Sequence, residues 1–206
     1  MVLALGQATP GLAGEVAGRV VLPPPVSIEA GLGVPGIFSD SSAEEQAAAG
    51  AVVVYVAEAA GQLPRTATAG AHVRLAGGEL RPRMVVVSLG SVVTFENADR
   101  RPHRMRSRTG PLRFELARQV RGTTRELRVQ QTGIIPVECA LHGDMRGEII
   151  ALAHAAFAIA DAAGNYALRD LPPGRATVVA YSTRLGEISR EVVVPESGVI
   201  QVEFTF

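Results

Sequence analysis

Short valine-rich runs, halted by glycine, proline, asparagine or aspartate about every 8–12 residues, constrain this chain more than any other feature of it. Such spacing suits strands of five or six residues and leaves little room for helices, which need longer stretches with apolar residues three or four apart. Residues 15–22, 51–56, 72–75, 84–88, 91–96, 123–130, the approach to Cys139, and 146–153 all read as strands. Beyond 155 the texture changes. Strands are expected at 157–159, 166–168, 176–181, 187–194 and 199–206, with turns at 161–165 and 170–174, enough for a second small β-sandwich. The fold class predicted is all-β, a sandwich or barrel over 15–153 and a smaller sandwich over 154–206. The Pro-, Gly- and Ala-rich stretch 23–50 reads as a loop insertion with one helical turn near 43–49. Residues 1–14, apolar but without a basic start, read as a frayed terminus or the remnant of a secretory signal.

Composition says what fills such a fold. A hydrophobic content of 47% in 206 residues is enough to bury a core, and with aromatics at 4% and no tryptophan that core must be aliphatic. No stretch approaches the run of about 20 apolar residues that spans a bilayer.

The single cysteine excludes an internal disulfide framework and leaves a buried thiol, an intermolecular bridge or a metal ligand. Its neighbours favour the ligand. Cys139 opens the run Cys139-Ala-Leu-His142-Gly-Asp-Met145, and upstream, after a strand-like run, stands Asn97-Ala-Asp99-Arg-Arg-Pro-His103. A thiolate, two imidazoles and a thioether are the donors of a mononuclear blue-copper centre: thiolate and thioether suit Cu(I), imidazole suits Cu(II). Because the downstream donors recur every third residue, one tight loop can turn them towards a point. Zinc is the competing metal, with Asp144 completing a tetrahedron, although structural zinc sites ordinarily supply paired cysteines. The bland alternative puts Met145 in the core and His103 and His142 on the surface. His72 and His154 have no ligand-like spacing and read as structural.

Charge is balanced overall but unevenly placed. All 20 basic residues are arginine; between Arg81 and Arg128 stand 12 of them against Glu96, Asp99, Glu115 and Glu126, a local excess of 8. This stretch reads either as a solvated face or as a surface that steers an acidic partner. Nucleic acid fits poorly, since no aromatic residues interleave with the arginines.

Two resemblances follow from these residues. The stretch 81–153, with Val85 to Phe95-Glu-Asn97-x-Asp99, His103, and Gly133 to Cys139-Ala-Leu-His142-Gly-Asp-Met145-Arg-Gly-Glu-Ile149, resembles the plastocyanin-like and amicyanin-like bacterial cupredoxins of the methylamine-utilisation type. Residues 155–181, with Phe157-Ala-Ile-Ala-Asp161-Ala-Ala-Gly164-Asn-Tyr166-Ala-Leu168 and Leu171-Pro-Pro-Gly174, resemble the carboxypeptidase regulatory-like, transthyretin-type (prealbumin-like) sandwich. The first resemblance implies a Greek-key sandwich holding one type-1 copper ion, with His103, Cys139 and His142 as equatorial ligands and Met145 axial. It also implies that Asn97 and Asp99 shape the strand end presenting His103. The second implies a fold and no chemistry. Departures from the first pattern are Arg104 and Ala140, where an Asn and a Ser or Thr commonly link the two ligand loops, and Val137, where relatives often carry an aromatic residue. Gly143 followed by Asp144 stands where Pro is frequent. A looser loop with a carboxylate nearby implies a lower-potential or less rigid copper site.

The function implied is blue-copper electron transfer. The electron would pass through the edge of His142, flanked by Ala140 and Leu141, to an acidic redox protein docking near it in an extracytoplasmic compartment. A Cu(I) carrier or sensor using Met105 with Met145 and Cys139 is the alternative. A metal-free adhesive β-protein with a degenerate site is the third reading. An enzyme is not expected: there is no His-x-His or His-Cys-His run, nucleophile elbow, phosphate loop or paired-carboxylate motif.

Overall fold

The computed structural model describes residues 13–23, 51–65 and 70–206. Within them regular structure is strand throughout, and no helix is long and apolar enough to cross a membrane. The expected helical turn at 43–49, most of the 23–50 insertion and residues 1–12 of the terminus lie outside the described residues.

Strands β1 (Gly14–Val21) and β2 (Val52–Ala59) come first. Then follow β3 (Ala71–Ala76), β4 (Glu79–Arg81), β5 (Met84–Ser88), β6 (Val92–Asn97) and β7 (Met105–Ser107). Next are β8 (Phe114–Glu115), β9 (Thr124–Arg128), β10 (Gly133–Cys139) and β11 (His142–Leu152). The chain closes with β12 (Phe157–Ile159), β13 (Asn165–Leu171), β14 (Gly174–Ser182), β15 (Gly186–Val194), β16 (Gly198–Gln201) and β17 (Phe204–Thr205).

Strands β3 to β11 build one sandwich from two sheets, ordered β4-β3-β6-β9 and β5-β11-β10-β7-β8. Alternation decides which side chains meet between them. In β6, Val93, Phe95 and Asn97 point inward while Val92, Thr94 and Glu96 stay half-exposed. Val73, Leu75 and Phe95 from one sheet meet Val85, Ile135 and Ile149 from the other in a single aliphatic core.

The second sandwich is assembled differently from the sequence expectation. Its sheets run β12-β2-β14-β15 and β13-β1-β16, with β17 also pairing β1. Thus β1 and β2, read from the sequence with residues 15–153, hydrogen-bond among the strands of 157–205, and each is an interior strand of its sheet. The reason is burial. Val52, Val54 and Val56 face a core shared with Val16, Leu168, Val178 and Phe204. In β1, Gly18 lies so close to the Val202 backbone that an added Cβ would overlap its carbonyl. The second sandwich therefore draws on both ends of the described chain, and residues 71–152 are spliced between its strands.

The two sandwiches meet along a third apolar cluster. Met84 and Val86 of β5 and Ile150 and Leu152 of β11 pack there with Val53 of β2, against Tyr55, Phe157 and Tyr181. This explains why β5 is buried at all five positions: Val85 and Val87 face the first core, Met84 and Val86 the seam. The Tyr181 hydroxyl donates to Glu148 Oε2 across the seam at 2.8 Å, and the Thr183 hydroxyl donates to the same oxygen at 3.1 Å.

Candidate metal centre

The run from Cys139 to Met145 is a hairpin with a bulge. Cys139 ends β10 and His142 begins β11, directly paired, while the preceding pair is Glu138 with Arg146. Residues 143–145 are therefore extra on β11, and the bulge turns Met145 into the core, where it is 1% exposed. Met105 on β7 stands opposite Cys139, so the two side chains share a face. Cys139, Met105 and Met145 all belong to the first core.

His103 reaches the same point from the other sheet. β6 ends at Asn97, whose Oδ1 accepts the Asp99 N–H at 2.8 Å in an Asx turn. Its Nδ2 donates to the carbonyls of Arg101 (2.9 Å) and Gln119 (3.0 Å). The Asp99 carboxylate accepts N–H groups from Gly77 (2.7 Å) and Gly78 (3.0 Å). Both glycines have positive φ, 67° and 78°, as a two-residue hairpin turn between β3 and β4 requires. Desolvation works against the ionised Asp99 carboxyl, but the Gly78 and Gly77 amides and the His103 ring outweigh it and hold its pKa below the ordinary value. Residue 103 is then clamped by paired main-chain bonds to Gln119, N to O at 2.9 Å and 2.7 Å.

Asp99 Oδ2 lies 3.0 Å from His103 Nε2, which leaves Nδ1 to face the thiol. His103 Nδ1 is 3.7 Å from Cys139 Sγ and His142 Nδ1 is 3.6 Å from it. All three donor atoms lie within 4.8 Å of one another, the two rings edge to face with centroids 5.0 Å apart. These distances are within reach of hydrogen bonds to sulfur, and they also fit a shared ion. Bonds of about 2.0 Å to nitrogen and about 2.3 Å to thiolate sulfur, about 110–120° apart, would place N and S about 3.5–3.7 Å from each other. His103 and Cys139 are buried and His142 is partly so, which gives the group one exposed edge. The bland alternative, with both histidines as surface residues, does not describe His103, which is 1% exposed.

The zinc alternative loses its fourth donor: Asp144 is exposed and stands outside the group. His72 is exposed beside Glu96, and His154 accepts the Ala156 N–H at 3.2 Å, its pKa lowered by burial. Neither belongs to the group of donors among the described residues.

Two features escaped the sequence reading. The side-chain link expected to be missing at Arg104 and Ala140 is replaced by a main-chain bond, Ala140 N–H to Arg104 C=O at 2.8 Å, so the ligand loops are tied after all. Gln119, fully buried, donates from Nε2 to the Phe95 carbonyl at 2.9 Å and braces the His103 loop from behind. Its Oε1 has no partner among the described residues. No motif marks it, and within the arginine-rich stretch it is one polar side chain among many.

No protein-family model matches the chain, and no curated protein matches it in sequence. Solved structures with a likeness to part of it include a reduced tryptophan-to-tyrosine mutant of amicyanin, at 18% identity and a TM-score of 0.39, over 48% of this chain and 97% of that one. A purple cupredoxin from Nitrosopumilus maritimus matches at 19% identity and a TM-score of 0.37, over 39% and 98%. A copper-containing nitrite reductase from Thermus scotoductus matches at 22% and 0.37, over 46% of this chain and 24% of that one. The geometry of His103, Cys139 and His142 is what supports a metal site here.

Proposed function

We propose that this protein is a type-1 copper protein that transfers electrons, in which His103, Cys139 and His142, with Met145, would hold the ion. The observation that carries this reading is the convergence of two imidazole Nδ1 atoms on one buried thiol at 3.6 and 3.7 Å. Copper in such a site supplies one-electron chemistry between Cu(I) and Cu(II). The chain does the rest. Asp99 fixes the tautomer of His103, and strands β7 and β10 hold Cys139 against Met105. His142, the partly exposed member, is the path for the electron, beside exposed Leu141. The compartment that suits this chemistry is extracytoplasmic. For the second sandwich we keep the transthyretin-type assignment, supported by the Asp161 turn, whose carboxylate accepts the N–H groups of Ala163 and Asn165.

The test is copper loading of the purified protein. An intense thiolate-to-copper absorption at about 600 nm, lost in Cys139→Ser, is expected. A Cu(II)-treated protein that stays colourless sinks the reading. The position of Met105 opposite Cys139 favours a second reading, a Cu(I) carrier, recognised by tight colourless Cu(I) binding weakened in Met105→Leu.

A further inference from the structure

The arginines of the 97–123 stretch divide into two groups. Arg104 is paired with Glu115 at 2.8 Å, and Arg106 and Arg108 share Glu138 at 2.8 and 3.2 Å. Arg113 is exposed and unpaired, and so are four others, Arg100, Arg101, Arg118 and Arg121, none of whose guanidinium groups has an ion-pair or hydrogen-bond partner among the described residues. The fold gathers these four. Asn97 Nδ2 bonds the carbonyls of Arg101 and Gln119 together, the Gly122 N–H donates to the Asn97 carbonyl at 2.7 Å, and His103 is clamped to Gln119. Two arginine pairs nearly twenty positions apart in sequence are thereby stapled into one corner beside a metal ligand. Unneutralised like charges repel, and four of them brought to one corner make a concentrated positive patch.

We propose that this corner docks a carboxylate-rich protein surface. Resting on the electron-carrier reading, the proposal names the chemistry of the redox partner. Val120, 57% exposed, lies between Arg118 and Arg121. An apolar centre with a charged rim is the anatomy of a protein interface, and arginine is the cation best suited to carboxylates. A single-stranded nucleic-acid surface would need stacking aromatics. The corner has none: Phe114 is the only aromatic between Asn97 and Thr123, and it packs against the first core. The one-sign field would accelerate encounters with an acidic partner in a salt-dependent way.

The experiment uses the full chain, first free of metal, titrated with fluorescent polyglutamate and with a fluorescent DNA duplex. Wild type is expected to bind polyglutamate more tightly than duplex, with affinity falling as salt rises. Arg118→Glu/Arg121→Glu should weaken polyglutamate binding at least tenfold with unchanged circular dichroism. The control Arg175→Glu/Arg190→Glu, on the second sandwich, should change it little. Equal losses in both double variants overturn the proposal, as does tighter binding of duplex than of polyglutamate. Since these titrations need no copper, a colourless protein would refute the copper reading without touching this result.

Discussion

His103 Nε2 lies 3.0 Å from Asp99 Oδ2, and the same carboxylate is held by the amides of Gly77 and Gly78. The β3–β4 hairpin is thus connected through one side chain to the ring that faces Cys139. A carboxylate behind a ligating imidazole raises its basicity and fixes its orientation, which favours the more highly charged Cu(II). Asp99→Asn keeps an acceptor and removes the charge. In the proposed copper site it should raise the reduction potential and weaken Cu(II) binding by about 10–100-fold, while Cu(I) binding changes less. Asp99→Ala should also loosen the His103 ring, broadening its imidazole NMR signals in the metal-free protein. Equal potentials in wild type and Asp99→Asn would remove the electrostatic role.

The second sandwich is divided in sequence, and this has a consequence for truncation. With β1 and β2 each interior to a sheet, residues 154–206 alone retain neither complete sheet. The isolated fragment is expected to lack cooperative unfolding and dispersed amide resonances. In the full chain, deleting residues 1–23 should expose 157–205 to proteolysis well before 71–152. A folded 154–206 fragment would contradict the observed pairing as the basis of its stability.

Much of this was legible in the sequence, and what was not follows a physical pattern. Short apolar runs bounded by turn residues located β6 and β10 within a residue or two. The three-residue strand β7 and two-residue β8 left no periodic trace inside the arginine-rich stretch. The partners of β1 and β2 were invisible because a buried valine run states that it needs cover without stating which strands provide it. The candidate run from Cys139 to Met145 stood out since its residues are close in sequence. The main-chain bond from Ala140 to Arg104 was not, since any two residues can make it. Gln119 acts through its backbone and its amide, neither of which has a spacing to read.

At the seam, Ile150 is 2% exposed and contributes to the cluster between the sandwiches, whereas its neighbour Ile149 faces the first core. Ile150→Ala is expected to destabilise the chain by about 2–4 kcal/mol in urea unfolding, the range for a buried aliphatic truncation. It should also separate the melting of the two sandwiches, while Ile149→Ala destabilises to a similar extent without separating them. Coincident transitions in both variants would show that the seam does not couple the units.

All three tyrosines of the chain are held away from ordinary behaviour. Burial raises the pKa of each: alone for Tyr166, whose hydroxyl donates to the Val202 carbonyl, and reinforced by the charge of Glu187 for Tyr55. For Tyr181 burial is followed by its bond to Glu148 and by that carboxylate's charge. A phenol whose folded pKa is raised favours the fold fully below its unfolded value of about 10, and this contribution is lost as pH climbs from there towards the folded value. Native protein should therefore show no tyrosinate absorbance at 295 nm with an ordinary midpoint. The signal should rise only above it, together with loss of the far-ultraviolet β signature. Tyr181→Phe, which removes one such group, should lessen the dependence of stability on alkaline pH. A phenolate titrating at about 10 in a chain that keeps its circular dichroism would refute the account.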